Sequence, residues 1–185
     1  MRSVAYKSSA RFAAYLRGGS LLWSASARAE VPVRCDGTGK VCIGSDVTLG
    51  FRPAPRYGSG GILLQSRGVG SSISIGEGTK LSNNIVIVAA KRISIGRKCL
   101  LGDNVYIIDT DAHPIDPVLR HTSSFEAAEV VLGDNVWLGS RVMVLKGSVI
   151  GDNSVIAAGA VVAGSIPANV VAAGVPAKVI RTLKA

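Results

Sequence analysis

The chain has 185 residues, of which 48% are hydrophobic and 18% charged, so it is long enough for one domain with a sizeable core. Only 5% of the residues are aromatic while 22 are glycine, which disfavours a helical bundle or an ordinary sandwich and suits a core of small and β-branched residues stacked in regular layers. The formal net charge of +9 favours an anionic partner such as a phosphorylated cofactor or a membrane surface. Nucleic acid is not expected, because the sequence has neither zinc-finger spacing nor a basic stripe interleaved with aromatic residues.

The first thirty residues differ from the rest of the chain. They contain five basic residues and a single acid, Glu30, with aromatic and aliphatic residues interspersed. We predict a short basic amphipathic helix over residues 4–17, which ends at Gly18-Gly19 and is too short to span a membrane. Such a segment suits either packing against the rest of the protein or peripheral contact of residues 1–25 with a membrane, and its composition also resembles an organelle transit peptide.

The cysteines indicate a reducing compartment. Cys35, Cys42 and Cys99 form no CxxC motif and are odd in number. This pattern gives no support to a disulfide framework, so we expect buried structural thiols. The expected location is the cytoplasm, at the inner face of the membrane if residues 1–25 contact it.

A six-residue period dominates the chain from about residue 31. In its most regular part an aliphatic residue recurs at every sixth position: Leu132, Leu138, Val144, Ile150, Ile156 and Val162. A period of six fits neither an α-helix nor a plain strand, and hexapeptide repetition is typical of a parallel β-helix, in which three units close one triangular coil. We therefore predict an all-β solenoid over residues 31–170, with short helical or irregular terminal segments and a capping tail at residues 171–185.

Two stretches interrupt the repeat. The first lies between Phe51 and Ser72 and is rich in proline and glycine, as expected either for a strand-bearing excursion or for one irregular coil. The second, a loop at residues 109–130, contains both histidines of the protein, His113 and His121. Long insertions in a regular solenoid usually lie on its functional face, so we expect the second stretch to carry chemistry.

Four segments give the sequence a family resemblance: Asn84–Ile87, Ala112–Asp116, Gly133–Ser140 and Ala172–Ile180. Over residues 73–183 the chain resembles the hexapeptide-repeat acyltransferases, and within them the galactoside and maltose O-acetyltransferase branch. The resemblance implies a left-handed parallel β-helix and a homotrimer with sites between neighbouring chains. It also implies direct transfer of an acetyl group from acetyl-CoA to a hydroxyl of a sugar or a surface-polysaccharide precursor, without a metal.

His113 is the general base that the resemblance implies. Because imidazole titrates near neutral pH, it can take the hydroxyl proton and later deliver that proton to the thiolate of coenzyme A. His121 is given no role. The sequence leaves open what orients the His113 ring, since a backbone carbonyl or any of five carboxylates in the same loop would suffice: Asp109, Asp111, Asp116, Glu126 and Glu129.

The remaining site residues also come from the resemblance. Asn84 is expected beside the acceptor hydroxyl, with a purely structural corner asparagine as the alternative, and the backbone N–H of Ser140 is expected to stabilise the developing oxyanion. Coenzyme A is expected to lie along the coils, in contact with Trp137, Ser140, Ala158, Gly159, Lys178 and Arg181. One departure is Gly164, where several relatives carry a lysine, which puts the usual phosphate contact in doubt.

The acceptor stays open, because residues 1–42 do not resemble the region with which the galactoside relatives hold their sugar. We expect a carbohydrate, or a nucleotide-linked or lipid-linked sugar near the membrane. Three other interpretations remain, namely an N-acetyltransferase acting on an amino-sugar nucleotide, a zinc enzyme, and a non-enzymatic β-helix used in assembly. The zinc enzyme is disfavoured because it needs three histidine ligands and the chain has 2 histidines.

Overall fold

The computed structural model describes residues 12–16, 18–122 and 125–184. In these ranges the regular secondary structure consists of β-strands, without a helix. None of these residues belongs to a helix long and apolar enough to cross a membrane. In chain order the strands are β1 Phe12–Leu16, β2 Ser20–Trp23, β3 Arg28–Ala29, β4 Val33–Gly37, β5 Lys40–Ile43, β6 Thr48–Leu49, β7 Ile62–Ser66, β8 Ser72–Ile75, β9 Lys80–Leu81, β10 Ile85–Ala89, β11 Arg92–Ile95, β12 Leu100–Leu101, β13 Tyr106–Ile108, β14 Val130–Leu132, β15 Trp137–Leu138, β16 Met143–Val144, β17 Val149–Ile150, β18 Val155–Ile156, β19 Val161–Val162, β20 Ser165–Ile166, β21 Val170–Gly174 and β22 Ala177–Thr182.

Three sheets form the walls of a triangular prism. Sheet A has the order β1-β4-β7-β10-β13-β16-β19, sheet B the order β2-β5-β8-β11-β14-β17-β20, and sheet C the order β3-β6-β9-β12-β15-β18-β21-β22. Neighbouring strands are three apart in the chain and parallel, except that β22 folds back antiparallel on β21. Three strands therefore make one coil, and we name the corners A–B, B–C and C–A after the sheets that they join. The predicted left-handed parallel β-helix is confirmed.

The core of the prism is built from one layer of aliphatic side chains per coil. On sheet C, Leu138 pairs in register with Leu101 on one side and with Ile156 on the other, and all three are buried. The aliphatic residues of the six-residue repeat thus stack on their equivalents in the next coil. A glycine often follows the aliphatic residue of the repeat, because successive coils approach closely at that position. At Gly102, for example, a Cβ would lie only 2.6 Å from the backbone nitrogen of Ser140 on the next coil.

The cysteines follow the expectation in part. Cys35 and Cys99 are fully buried, and desolvation raises the pKa of the Cys35 thiol to about 12. Cys42 is only half-buried, on the outward side of β5. All three are free thiols.

The helix predicted for residues 4–17 is wrong where the structure describes it. Residues 1–11 lie outside the described part, but Phe12–Leu16 forms strand β1, which pairs in parallel with β4. The next two strands likewise pair with β5 and β6, so the segment expected to be separate from the solenoid forms its first coil. The physical reason is that the edge of the second coil presents unpaired backbone N–H and C=O groups, which a strand can satisfy and a helix cannot.

Both predicted interruptions are loops at corners of the prism. The first occupies residues 51–61 between β6 and β7, at the C–A corner, and we call it the excursion. Strand β7 pairs in register with β4, so the part of the interruption after residue 61 belongs to a regular coil. The second occupies residues 109–129 between β13 and β14, at the A–B corner, and we call it the histidine loop.

Replacement of Ile150 by alanine should destabilise the solenoid. Ile150 is 1% exposed on β17, and a large-to-small change at such a site leaves a cavity, which lowers the free energy of unfolding by about 2–5 kcal/mol. Val149→Ala on the same strand is the matched control, because Val149 is 43% exposed and its loss should cost about 0.5 kcal/mol or less. Urea denaturation followed by circular dichroism measures both. Equal losses would contradict the inward and outward assignment of these residues.

Candidate active site

A short antiparallel stem fixes the base of the histidine loop. Thr110 forms an antiparallel bridge with Ala127. Beside this bridge, the N–H of Asp111 donates to the carbonyl oxygen of Glu126 at 3.2 Å. Because the two ends of the loop are paired, the residues between them project from the A–B corner, and nearly all of those described are exposed.

Asp109 anchors this stem to the preceding coil. Its carboxylate is fully buried and accepts hydrogen bonds from the backbone N–H groups of Ala90 at 2.6 Å and Lys91 at 2.8 Å. Its carbonyl oxygen accepts from the N–H of Ala128 at 2.9 Å. A buried carboxylate requires such donors. Asp109 is therefore committed to holding the loop and does not orient an imidazole.

Lys146 holds the two sides of the stem together. Its Nζ lies 2.6 Å from the Asp111 carboxylate and 2.7 Å from the Glu126 carboxylate. The hydrogen bond to Asp111 contributes most, and that to Glu126 next, to a raised pKa of Lys146. The ammonium therefore stays charged through the neutral range. One cation thus offsets two carboxylates that would otherwise repel each other across the stem.

His113 lies in the exposed outer part of the loop. Within the described part of the chain, its imidazole has no hydrogen-bond partner. The two remaining carboxylates considered for its orientation are engaged elsewhere. Asp116 accepts from the N–H of Val118 at 2.8 Å, and Glu129 forms an ion pair with Arg92 at 3.1 Å. The described residues of one chain therefore leave the ring of His113 unoriented.

The C–A corner contains four predicted site residues, namely Asn84, Ser140, Ala158 and Gly159. Asn84, Asn104 and Arg141 lie at this corner on successive coils, each in the left-handed region with φ of 56°, 56° and 61°. Asparagine tolerates this conformation, which turns the chain sharply between sheets. Next to them is a cleft of about 440 Å³, lined by Pro55, Arg56, Asp103, Ser140, Arg141, Ala158 and Gly159.

A chain of hydrogen bonds fixes the side-chain amide of Asn84. Its Nδ2 donates to Oδ1 of Asn104, which also accepts from Nη1 of Arg56 at 3.0 Å. Nδ2 of Asn104 in turn donates to the Asp103 carboxylate at 2.7 Å. Because its amino group is committed, Asn84 presents Oδ1 as an acceptor that no described residue occupies, which suits a substrate hydroxyl.

Ser140 contributes a backbone donor beside the same cleft. Its carbonyl oxygen accepts from the N–H of Gly159 at 2.9 Å, whereas the described chain offers no acceptor to the N–H of Ser140 itself. The Ser140 hydroxyl is the main cause of a lowered pKa of Asp103, and the Asn104 amide and the charge of Arg56 act in the same direction. Asp103 is therefore ionised at neutral pH. Separately, the backbone N–H of Ser140, which has no acceptor in the described chain, is available to a ligand.

The residue before Asn84 has a role that the sequence did not reveal. The amide of Asn83 is fully buried and holds the excursion in place. Its Oδ1 accepts from the N–H of Phe51 at 3.0 Å, and its Nδ2 donates to the carbonyl oxygens of Phe51 at 3.0 Å and Pro55 at 2.8 Å. The one signal in the sequence is an asparagine pair at the corner that follows a proline-rich interruption. Through Asn83 the excursion is fixed over the corner of Asn84.

Trp137 lies on the outer face of sheet C. It is 52% exposed, and its register partners on the neighbouring strands are Leu100 and Val155. An exposed indole between aliphatic side chains offers an apolar surface with a polar edge, and such a surface suits the amide-containing arm of coenzyme A.

The cleft stays open toward the C-terminal end of the prism. Ala158 and Gly159 are exposed, and no atom lies within 4 Å of the position that a Cβ on Gly159 would take. Lys178 and Arg181 are exposed on β22 at that end. An unobstructed wall beside an exposed indole, with two cations beyond it, fits a molecule that carries a thiol arm at one end and phosphates at the other. The predicted residues are thus compatible with coenzyme A.

The histidine loop and the cleft lie on different edges of sheet A. The loop that carries His113 leaves the A–B corner, whereas Asn84 and Ser140 lie at the C–A corner. One chain therefore gathers Asn84, Ser140, Ala158 and Gly159 at a single corner and does not bring His113 to them.

Comparison with known proteins points to the same kind of molecule. Residues 129–164 match the family model described as "Bacterial transferase hexapeptide (six repeats)". Over 114 residues the chain is 43% identical to the galactoside O-acetyltransferase of Escherichia coli (strain K12), a match that covers 62% of this chain and 56% of that protein. The chain thus spans little more than half the length of this relative.

Two solved structures extend the comparison. A galactoside acetyltransferase in complex with coenzyme A is 42% identical, with a TM-score of 0.59 over 60% of this chain and 56% of that one. The polysialic-acid-specific acetyltransferase NeuO matches 95% of this chain and 82% of its own, with a TM-score of 0.69 but 23% identity, so it supports the fold alone.

The three-sheet prism, its six-residue repeat and these matches make the chain similar to the β-helical domain of the hexapeptide-repeat acyltransferases. Within that class, the domain resembles the galactoside and maltose O-acetyltransferase branch, as the sequence motifs predicted.

Lys146→Gln should loosen the histidine loop without unfolding the prism. Loss of the ammonium leaves the Asp111 and Glu126 carboxylates unpaired across the stem, so local opening should increase and trypsin should cleave after Arg120 about 3- to 10-fold faster. Lys98→Gln is the matched control, because Lys98 is exposed at the B–C corner and has no salt bridge among the described residues. Mass spectrometry of timed digests gives both rates. Similar rates in the two variants would show that Lys146 does not hold the loop.

Proposed function

We propose that the protein is an acetyltransferase that moves the acetyl group of acetyl-CoA to a hydroxyl of a sugar or of a surface-polysaccharide precursor. The observation that carries this proposal is the C–A corner cleft. It brings Ser140, Ala158 and Gly159 together, in a domain 42% identical to a galactoside acetyltransferase whose solved structure contains coenzyme A.

The donor side of the site extends from Ser140 toward the C-terminal end. Acetyl-CoA supplies an acetyl group activated as a thioester. The free N–H of Ser140 donates to the acetyl oxygen as negative charge develops there, which is worth more in a site shielded from water than in solution. Ala158 and Gly159 leave room for the arm of the donor, Trp137 packs against it, and Lys178 and Arg181 bind its phosphates.

His113 and Asn84 act on the acceptor. The imidazole of His113 takes the proton of the attacking hydroxyl as the new C–O bond forms. It returns that proton to the departing sulfur as the C–S bond breaks, so the histidine ends the cycle neutral and no acyl-enzyme is needed. Oδ1 of Asn84 accepts a hydrogen bond from a neighbouring hydroxyl and so orients the sugar.

The assembly that completes this site is a homotrimer. Because the histidine loop and the cleft lie at opposite edges of sheet A, a site with both requires the loop of one chain at the cleft of the next. Contact between two different corners is heterologous and closes into a ring when the rotation permits. Large apolar side chains exposed on the loop and on sheet A support such a contact: Ile115, Val118, Leu119, Phe125 and Met143.

His113→Ala should abolish most of the transfer while preserving donor binding. Loss of a general base typically lowers kcat by about 10²–10⁴-fold. The melting temperature should still rise with acetyl-CoA, because the proposed donor contacts lie on the other corner. His121→Ala, in the same loop, is the matched control and should leave kcat unchanged. Thiol release from acetyl-CoA in the presence of sugars with free hydroxyls or amines measures the rate, and a fully active H113A would place the base elsewhere.

Mixed trimers test whether the site is shared between chains. H113A and Asn84→Ala are each expected to be weakly active alone. If each site takes its histidine from one chain and its asparagine from the next, unfolding and refolding an equal mixture restores about one quarter of the sites, since half of the loops and half of the clefts are intact. A mixture no more active than its components would instead place both residues in one chain's site.

A further inference from the structure

Two guanidinium groups line the C–A corner cleft. Arg56 comes from the excursion and Arg141 from the turn before β16, and both are exposed. Neither forms a salt bridge with any carboxylate in the described part of the chain. By contrast, Arg97 on the B–C corner lies 2.7 Å from Asp134 and is neutralised by it. The cleft therefore contains two cations that form no salt bridge with a described carboxylate.

The one acid that lines the cleft, Asp103, forms no salt bridge with either arginine, and its single negative charge offsets only one of the two positive charges. The Asp103 carboxylate accepts from Asn104 at 2.7 Å and lies beside the hydroxyl of Ser140. Arg56 makes its hydrogen bond to the neutral amide oxygen of Asn104, which leaves most of its five N–H donors free. Guanidinium groups held in a cleft with free donors suit carboxylate and phosphate ligands, because the planar fork binds two oxygens at once.

The position of Arg56 along the prism assigns it to the acceptor side. The excursion precedes β7, Asn84 precedes β10 and Ser140 precedes β16, so Arg56 lies toward the N-terminal end of the site. The cations proposed for the donor phosphates, Lys178 and Arg181, are on β22 at the opposite end. A donor that runs from Ser140 toward β22 leaves the side of Arg56 to the second substrate.

Several contacts anchor the excursion to the prism. Besides the contacts of buried Asn83, the guanidinium of Arg52 lies 5.5 Å from the centre of the Tyr57 ring. Gly60 packs on the next coil at the same corner so closely that a Cβ there would lie 3.0 Å from the Cβ of Asn84. A preorganised cation binds its ligand with little loss of conformational entropy and discriminates by charge.

Arg56 is also linked directly to the residue that is proposed to orient the sugar. Arg56 and Asn84 donate to the same oxygen, Oδ1 of Asn104. A ligand group held by Arg56 therefore lies next to the position from which Asn84 binds a hydroxyl.

Together these observations give the acceptor a chemical class. We propose that the acceptor is anionic, and that Arg56 and Arg141 bind a carboxylate or phosphate group of the sugar at the mouth of the C–A cleft. The proposal rests on the acetyltransferase function above and adds charge selection to it.

Binding of matched sugars to the full-length protein tests this proposal without relying on turnover. Galactose, galacturonic acid and galactose 1-phosphate are titrated by calorimetry at constant ionic strength, with and without coenzyme A. At least one of the two anionic sugars should bind about 10-fold or more tightly than galactose. Arg56→Ala and Arg141→Ala should each remove most of that preference, and Arg56→Lys should keep part of it. Arg97→Ala is the control, because it removes the same single positive charge at the B–C corner. This variant should keep the preference for the anionic sugar.

The outcomes separate this proposal from the one on which it rests. A preference for galacturonic acid identifies a carboxylate, and one for galactose 1-phosphate identifies a phosphate. If both bind no better than galactose, or if their advantage survives in the Arg56→Ala, Arg141→Ala double variant, the anionic acceptor is excluded. If the arginine variants weaken coenzyme A binding instead, the two residues serve the donor and the proposal is wrong. Failure of the wild-type protein to bind coenzyme A counts against the acetyltransferase function, whatever the sugars do.

Discussion

The register between successive coils is the constraint on which the rest of the structure depends. Tyr106 pairs with Val86 on one side and with Met143 on the other, and the same regularity holds along all three sheets. A slip by one residue would turn a buried aliphatic row outward, so the hydrophobic layers fix the register strongly. As a consequence each corner falls at a set height along the axis. Asn84, Asn104 and Arg141 follow one another along one edge because the core beneath them cannot shift.

Both departures from the repeat are fixed by a buried polar side chain at the point where they leave it. Asn83 satisfies backbone groups of the excursion, and the Asp109 carboxylate binds backbone N–H groups of the preceding coil. Backbone groups at such places have lost their strand partners, and leaving them unpaired in the interior would cost free energy. Among the described residues, every buried side-chain nitrogen or oxygen has a partner. The same two residues thus stabilise the fold and place the two halves of the proposed site.

The sequence predicted the features that repeat and missed those that depend on single long-range contacts. Six-residue periodicity is a property of neighbouring residues, so the prism and its buried rows could be read directly from it. The strand at Phe12–Leu16 was missed because its partner, Val33–Gly37, decides its conformation and outweighs the local amphipathic pattern. Likewise, the contact of Arg56 with Asn104 spans 48 residues, and that of Lys146 with Glu126 spans 20. No local pattern encodes these pairs, whereas the roles expected for His113 and Asn84 come from motifs of a known family and stay predictions.

The excursion starts and ends on core residues that keep the phase of the coil. Leu49 before it and Ile62 after it are both buried in the rows to which they belong. The segment between them can therefore be lengthened, shortened or exchanged without displacing either neighbour, provided that the Asn83 amide still finds backbone partners. Chimeras that graft excursions from other prisms onto this one would change the lining of the C–A cleft at Pro55 and Arg56 while keeping the coils beneath it. Variant libraries confined to residues 51–61 would thus change the shape and charge of one wall of the cleft without disturbing the stacked core.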